Sequence, residues 1–341
     1  MKSFFKGYLK SALYTAVFSL ACTQANAEAV EIKLGDFQST THIVSKEGTV
    51  KWMKTVEERT GGQVTFKHFP SQQAAKSKGL LDAVKKGIID AALIGPLYHS
   101  DRLPLNSVIG LPGFFSSAQE GSQALQEMVA EGPLHDEFVA EGVMPIMPFV
   151  LPPYNILLKD AKVGKLEEWK GMNIRTAGST QAMTARALGG AGVSIPGPET
   201  YSALERGRVS GVFFPLSSVP AYNLQEVSSS ISTNGFFGGY SFTLILKKDI
   251  FDKLSPEVQK IMLDAGREIG IHVAKAQDES IAGLTAEWAK NGVEMFQFSA
   301  EEQAQLRAAI TDVKKDWVER VGKQNPKASS VLSSYEAVIS H

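Results

Sequence analysis

The sequence predicts an α/β protein of two units braced by one long helix, on three observations. Between residues 30 and 94, period-2 apolar alternation and helical spacing take turns. The same rhythm returns between residues 155 and 232. A helical pattern of roughly 30 residues then begins at Ser255-Pro256-Glu257. With 341 residues the chain can supply each unit with its own core.

Val30-Glu31-Ile32-Lys33-Leu34 alternates as a strand does and stops at Gly35. Ile43 to Arg59 follows as a helix, with Val50, Met53 and Val56 on one face and Gly61-Gly62 as its stop. Val64 to Phe69 alternates again, and Leu80, Leu81 and Val84 make a helical face before Gly87. Ile88 to Ile94 is a short apolar run, as in a strand covered on both faces, and Gly95-Pro96 ends it. This order implies a mostly parallel sheet with right-handed crossovers. In the second unit, Ile156-Leu157-Leu158, Met172 to Arg175 and Val209 to Phe214 read as strands. Thr180 to Leu188 and Pro198 to Arg206 read as helices, the first stopped by Gly189-Gly190. Tyr240 to Leu246 alternates and leads back into the first unit.

After Ser255, the residues Val258, Ile261, Met262, Ala265, Ile269, Val273 and Ala276 trace one helical face. Continued to Trp288, that helix is ~45 Å long, more than one lobe. Ser299-Ala300-Glu301-Glu302 is a capping box that opens the next helix. The expected organisation is a first lobe of residues 28–150 plus about 240–298, and a second lobe of 151–239. The bracing helix covers about 256–288, and C-terminal helices occupy 299–341.

Residues 1–27 read as an export signal. Lys2, Lys6 and Lys10 precede an apolar run from Ala12 to Ala21, and Ala25-Asn26-Ala27 is a small-x-small cleavage site. The run falls short of the ~20 residues a membrane anchor needs. Lipidation at Cys22 would want its leucine one place earlier than Leu20. Cleavage after Ala27 removes three lysines and no acids, leaving 314 residues, a net charge of −4 and no cysteine. Val143 to Pro153, the most apolar remaining stretch, is broken by four prolines. The expected product is exported and soluble, periplasmic in a Gram-negative host.

Several function classes are disfavoured. The balance of 35 basic and 36 acidic residues lacks the basic excess of a nucleic-acid binder. HExxH, GxxxxGK[ST], GxGxxG and Gly-x-Ser-x-Gly are absent, and Gly189-Gly190-Ala191-Gly192 has the wrong spacing for a dinucleotide loop. The six histidines form no ligand-spaced pair, so no metal site is expected. Without a mature cysteine there is no thiol nucleophile. These absences favour a binding protein over an enzyme.

Four segments carry more specific information: Val64–Gln73 (VTFKHFPSQQ), Leu80–Ile94 (LLDAVKKGIIDAALI), Trp169–Ser179 (WKGMNIRTAGS) and Leu188–Gly211 (LGGAGVSIPGPETYSALERGRVSG), the last followed by Pro215-Leu216-Ser217. In order and spacing they resemble the extracytoplasmic substrate-binding proteins of TRAP (tripartite ATP-independent periplasmic) transporters, over essentially the whole mature chain. The resemblance implies a periplasmic-binding-protein-like α/β fold, with two lobes around a ligand cleft and a long helix crossing both. It implies a small organic acid as ligand, TRAP membrane permease subunits as partners, sodium-coupled uptake and a monomer. It implies no catalysis, no cofactor and no stable membrane insertion.

The family's central ligand residue is the arginine of a KGxxxR segment, here Arg175. A guanidinium matches a carboxylate with a planar fork of donors and keeps its charge. Three positions depart from the best-known acid-binding members. Asn155 stands where a second arginine often does, Phe213-Phe214 replaces Glu-Asn, and Gly235-Phe236-Phe237 follows Thr233-Asn234 where a histidine is common. The expected pocket has one anion anchor and apolar walls, with Phe213, Phe214, Phe236 and Tyr154 as wall candidates, although lobe core is the competing reading for the phenylalanines. An aromatic or branched monocarboxylate, or a sulfonate, fits such a pocket better than a four-carbon dicarboxylate. The loops from Phe37 to His42 and from Gly95 to Tyr98 follow strands at their carboxyl ends, where open α/β sheets bind ligands. Lys76, just before a helix, is a further anion-contact candidate. Rival readings are the binding component of an ATP-driven importer or sensor, an exported hydrolase, and a ligand that carries an amine.

Overall fold

The computed structural model describes residues 29–160 and 162–339. The expected export signal, 1–27, lies outside these residues. The strands, in chain order, are β1 (Val30–Asp36), β2 (Val64–Phe69), β3 (Ala91–Ile94), β4 (Val143–Val150), β5 (Asn155–Leu158) and β6 (Asn173–Thr176). They continue with β7 (Ala191–Ser194), β8 (Gly211–Phe214), β9 (Ser230–Ser232), β10 (Ser241–Lys247) and β11 (Glu294–Phe296).

Two sheets result, of order β2-β1-β3-β10-β4 and β11-β9-β5-β8-β6-β7. The sequence predicts mostly parallel sheets, and one strand is reversed in each. β10 is antiparallel to β3 and β4, and β5 is antiparallel to β8 and β9. The reversed strands are the two that the chain enters directly from the other lobe, from β4 into β5 and from β9 into β10. Because the parallel strands of both sheets point their carboxyl ends at the same interface, a chain crossing that interface must run against its new neighbours.

Four strands escape the periodicity reading. β4 carries Pro145 and Pro148, which break the sequence signal, yet it is an edge strand, where a missing N–H is tolerated. β7, β9 and β11 are only three or four residues long. β11 also corrects the expected lobe boundary: it pairs with β9 in the second sheet, so the segment around 240–298 does not stay with the first.

The long helix, Pro256–Lys290, has 35 residues and is thus ~52 Å long. The Ser255 hydroxyl accepts from the Val258 N–H and so caps its start. Val258, Met262, Ala265, Ile269 and Val273 pack into the core around the first sheet. Trp288 packs into the second core with Val212, Leu224 and Ile231. Between these anchors, Asp278 accepts from the Ala118 and Gln119 N–H groups, each at 2.9 Å, capping the helix Ala118–Ala130 of the first lobe. One residue earlier, Gln277 accepts from the Ser217 hydroxyl of the second lobe at 3.1 Å. Among the described residues, no helix is long and apolar enough to cross a membrane.

Gly266 and Gly270 let the long helix lie directly on β4. A Cβ at Gly266 would collide with the Ile146 carbonyl, whereas one at Gly283 meets nothing within 4 Å. Gly266→Ala is therefore expected to cost ~1–3 kcal/mol by overpacking, and Gly283→Ala to gain ~0.4–1 kcal/mol by restricting the unfolded chain. Urea denaturation of both variants checks this, and equal effects would refute the close approach.

Candidate functional site

The carboxyl ends of the parallel strands meet the amino ends of the two crossing strands around a small cavity. Its floor is Arg175, the third residue of β6, only 1% exposed. The Arg175 Nε donates to the Ile195 carbonyl at 2.8 Å and Nη1 donates to the Phe213 carbonyl at 2.9 Å. The guanidinium lies 5.0 Å from the centre of the Phe214 ring. Among the described residues no aspartate or glutamate pairs with Arg175. The positive charge is thus oriented by main-chain carbonyls and left unneutralised.

The walls are aromatic. Phe37 packs on Tyr98 and Phe242, Tyr98 on Tyr240, and Tyr222 stands edge-on to both His42 and Phe214. Burial holds the phenols of Tyr154, Tyr222 and Tyr240 above their ordinary range. Hydrogen bonds span the cleft between the lobes: the Gly197 N–H donates to the Tyr98 hydroxyl at 2.9 Å, the Tyr222 hydroxyl donates to Gln38, and the Ser100 and Ser179 hydroxyls meet at 3.4 Å. The lobes are therefore closed on each other.

The loop after β1 is shaped by Asp36. This fully buried carboxylate accepts from the Gln38 N–H at 2.8 Å, a two-residue turn that presents Phe37 and Gln38 to the cavity. The Ser71 N–H in turn holds the Gln38 carbonyl at 2.8 Å, with Ser71 and Gln72 both in the left-handed region, at φ 53° and 64°. Burial pushes the Asp36 carboxyl up to about 6, against the opposing pull of the Gln38 N–H and the Ser45 and Thr49 hydroxyls. His68 lies 3.9 Å away, its own pKa lowered by burial.

Of the residues singled out from sequence, Arg175, Tyr154, Phe214, Phe37, His42 and Tyr98 line this cavity. The other five do not. Lys76 is exposed and away from the cavity. The Phe213 ring is core, stacked on Phe237 at 4.9 Å, because along β8 it faces opposite to Phe214; only its carbonyl serves the site. The Asn155 amide ties the two crossings together, accepting from the Ser232 hydroxyl at 3.1 Å and the Gly235 N–H at 2.6 Å. Phe236 lines a separate groove, where the Arg307 guanidinium covers it at 4.1 Å. Gly95 contributes space instead of contact, since the Tyr240 hydroxyl fills the place a Cβ would take.

Gln38, Leu151, Gly197, Pro215, Ser218, Tyr222, Tyr240 and Phe242 also line the cavity and were not singled out from sequence. Gln38 lies inside the Phe37–His42 loop, and Tyr240 and Phe242 begin the returning strand, so their positions held a signal. Tyr222 sits on a short turn with no periodicity to mark it. Among the described residues, no group of three or more His, Cys, Asp or Glu side chains could hold a metal ion.

The family model of the bacterial extracellular solute-binding proteins, family 7, matches residues 34–320. A solute-binding protein of Albidiferax ferrireducens is 26% identical over 283 residues, covering 79% of this chain and 81% of its own. A solved TRAP solute-binding protein from Rhodoferax ferrireducens, in complex with copurified benzoate, has a TM-score of 0.85 at 23% identity, covering 92% of this chain and 98% of that one. A marine metagenome TRAP solute-binding protein specific for aromatic acid ligands, co-crystallized with 3-hydroxybenzoate, has a TM-score of 0.85 at 21% identity, with the same 92% and 98% coverage.

The buried Asp36 gives the site a pH signature. Its folded value of about 6 exceeds the unfolded value of about 4, so its contribution to stability is full below pH 4 and is lost as pH rises through 6. Asp36→Asn, uncharged throughout, is expected to match the wild type near pH 4 and to exceed it by roughly 1–3 kcal/mol near pH 8. Denaturation at the two pH values measures this, and the same difference at both would show that Asp36 does not titrate between them.

Proposed function

The chain belongs to the family 7 bacterial extracellular solute-binding proteins, and from that premise we propose that it captures a small organic acid anion and delivers it to a TRAP membrane permease for sodium-coupled uptake. The observation that carries this reading is Arg175, a buried cation to which none of the described residues supplies an anionic partner. An isolated buried charge is costly, and a ligand carboxylate or sulfonate removes that cost while using the remaining guanidinium donors. The aromatic walls suit an aromatic or branched monocarboxylate. The benzoate and 3-hydroxybenzoate held by proteins of the same fold support that class. With one cation lining the cavity among the described residues, a dicarboxylate would leave its second charge unpaired.

Binding rather than turnover is the role of the site in this reading. Closure about the crossings near 151–154 and 233–240 buries the anion, and the permease recognises the closed form. The sequence resemblance supports the permease and the sodium gradient, and the export signal supports a periplasmic location.

Calorimetry with benzoate as the probe tests the anchor. Arg175→Ala and Arg175→Lys are both expected to weaken binding by at least ~10-fold, since a charged hydrogen bond is worth ~1.5–3 kcal/mol. Wild-type affinity in both variants would sink the Arg175 assignment.

A further inference from the structure

His42 lines the cavity from the first-lobe loop and is 1% exposed. Its Nδ1 accepts from the Val44 N–H at 3.1 Å. Burial drives the imidazole pKa down to about 3, so the ring is neutral at physiological pH. A neutral ring that accepts at Nδ1 carries its proton on Nε2. That Nε2–H is buried and has no acceptor among the described residues. The Tyr240 hydroxyl, elsewhere in the lining, is likewise buried and unpartnered.

We infer that the ligand carries, besides its acid group, a hydroxyl or carbonyl oxygen that accepts from the His42 Nε2–H. This deepens the reading above and rests on it. Arg175 on the second lobe takes the carboxylate, His42 on the first lobe takes the second oxygen, and the aromatic rings between them hold the ligand's apolar body. The second oxygen is uncharged, because Arg175 is the one cationic side chain lining the cavity among the described residues. The substrate class is therefore a hydroxy- or oxo-substituted monocarboxylate, aromatic or branched. A site built to donate to an oxygen rejects the analogue that lacks it, since its own buried donor is then left unpaired. The ligand also joins the two lobes through polar contacts at both ends.

Calorimetry with matched acids tests this: benzoate against its 2-, 3- and 4-hydroxy forms, and phenylacetate against mandelate and phenylglyoxylate. At least one oxygenated acid is expected to bind tenfold or more tightly than its parent. His42→Phe is expected to collapse that ratio, and His42→Gln, which keeps a donor near the Nε2 position, to restore it. Ratios below tenfold for every pair, or a ratio unchanged in His42→Phe, overturn the inference while leaving Arg175 as the anchor. Acid binding that survives Arg175→Ala overturns the underlying reading instead, and failure of every acid to bind overturns both. If His42→Phe does not fold, ¹⁵N NMR of the wild type decides. A proton on Nε2 whose resonance moves with the oxygenated acid and not with its parent supports the inference, and a proton on Nδ1, or a resonance neither acid moves, refutes it.

Discussion

A buried guanidinium that no carboxylate neutralises is the constraint on which the site depends. Arg175 sits on a strand, fixed by carbonyls from Ile195 and Phe213, so its orientation is set by the second sheet itself. Those carbonyls orient the charge without cancelling it. Phe214 covers one side of the guanidinium, and Tyr154 lines the cavity beside it, excluding water that would weaken the attraction. A chain with a modest net negative charge thereby gains a local preference for anions.

Closing a lid over such a charge requires two lobes that move as bodies and still meet in register. The two crossing strands and the long helix meet that requirement in different ways. Each crossing strand enters its new sheet reversed, so Tyr154 and Tyr240, just before β5 and β10, come to line the cavity. The Asn155 amide bonds the second crossing at Ser232 and Gly235, which makes the crossings one unit. The long helix grips the first lobe through Asp278 and the second through Gln277, at adjacent residues.

Much of the fold was legible because its physics is local. Alternation in Val30–Asp36, the glycine stops after the helices, Pro256 behind a serine cap and the Ser299–Glu302 capping box each act within a few residues. β4 was obscured by prolines that only its edge position makes tolerable, and β11 joined the other sheet because a three-residue strand finds its partner through the surrounding fold. Within the site, Phe213 and Phe214 show the limit most clearly. They are neighbours of the same type, yet one packs in the core and the other faces the cavity, because a strand turns successive side chains to opposite faces.

The sequence by itself determined the two α/β units, the bracing helix and the family resemblance, and it singled out Arg175, since each rests on short-range pattern or on a motif with fixed spacing. Only the tertiary structure decided which aromatic residues wall the cavity and which fill the core. It alone placed Tyr222 against His42 and Gln38 across the cleft, moved Phe236 under Arg307, and left the His42 Nε2–H without an acceptor. These depend on contacts between residues as far as 184 positions apart, as in the Tyr222–Gln38 hydrogen bond, and no local pattern encodes such a meeting.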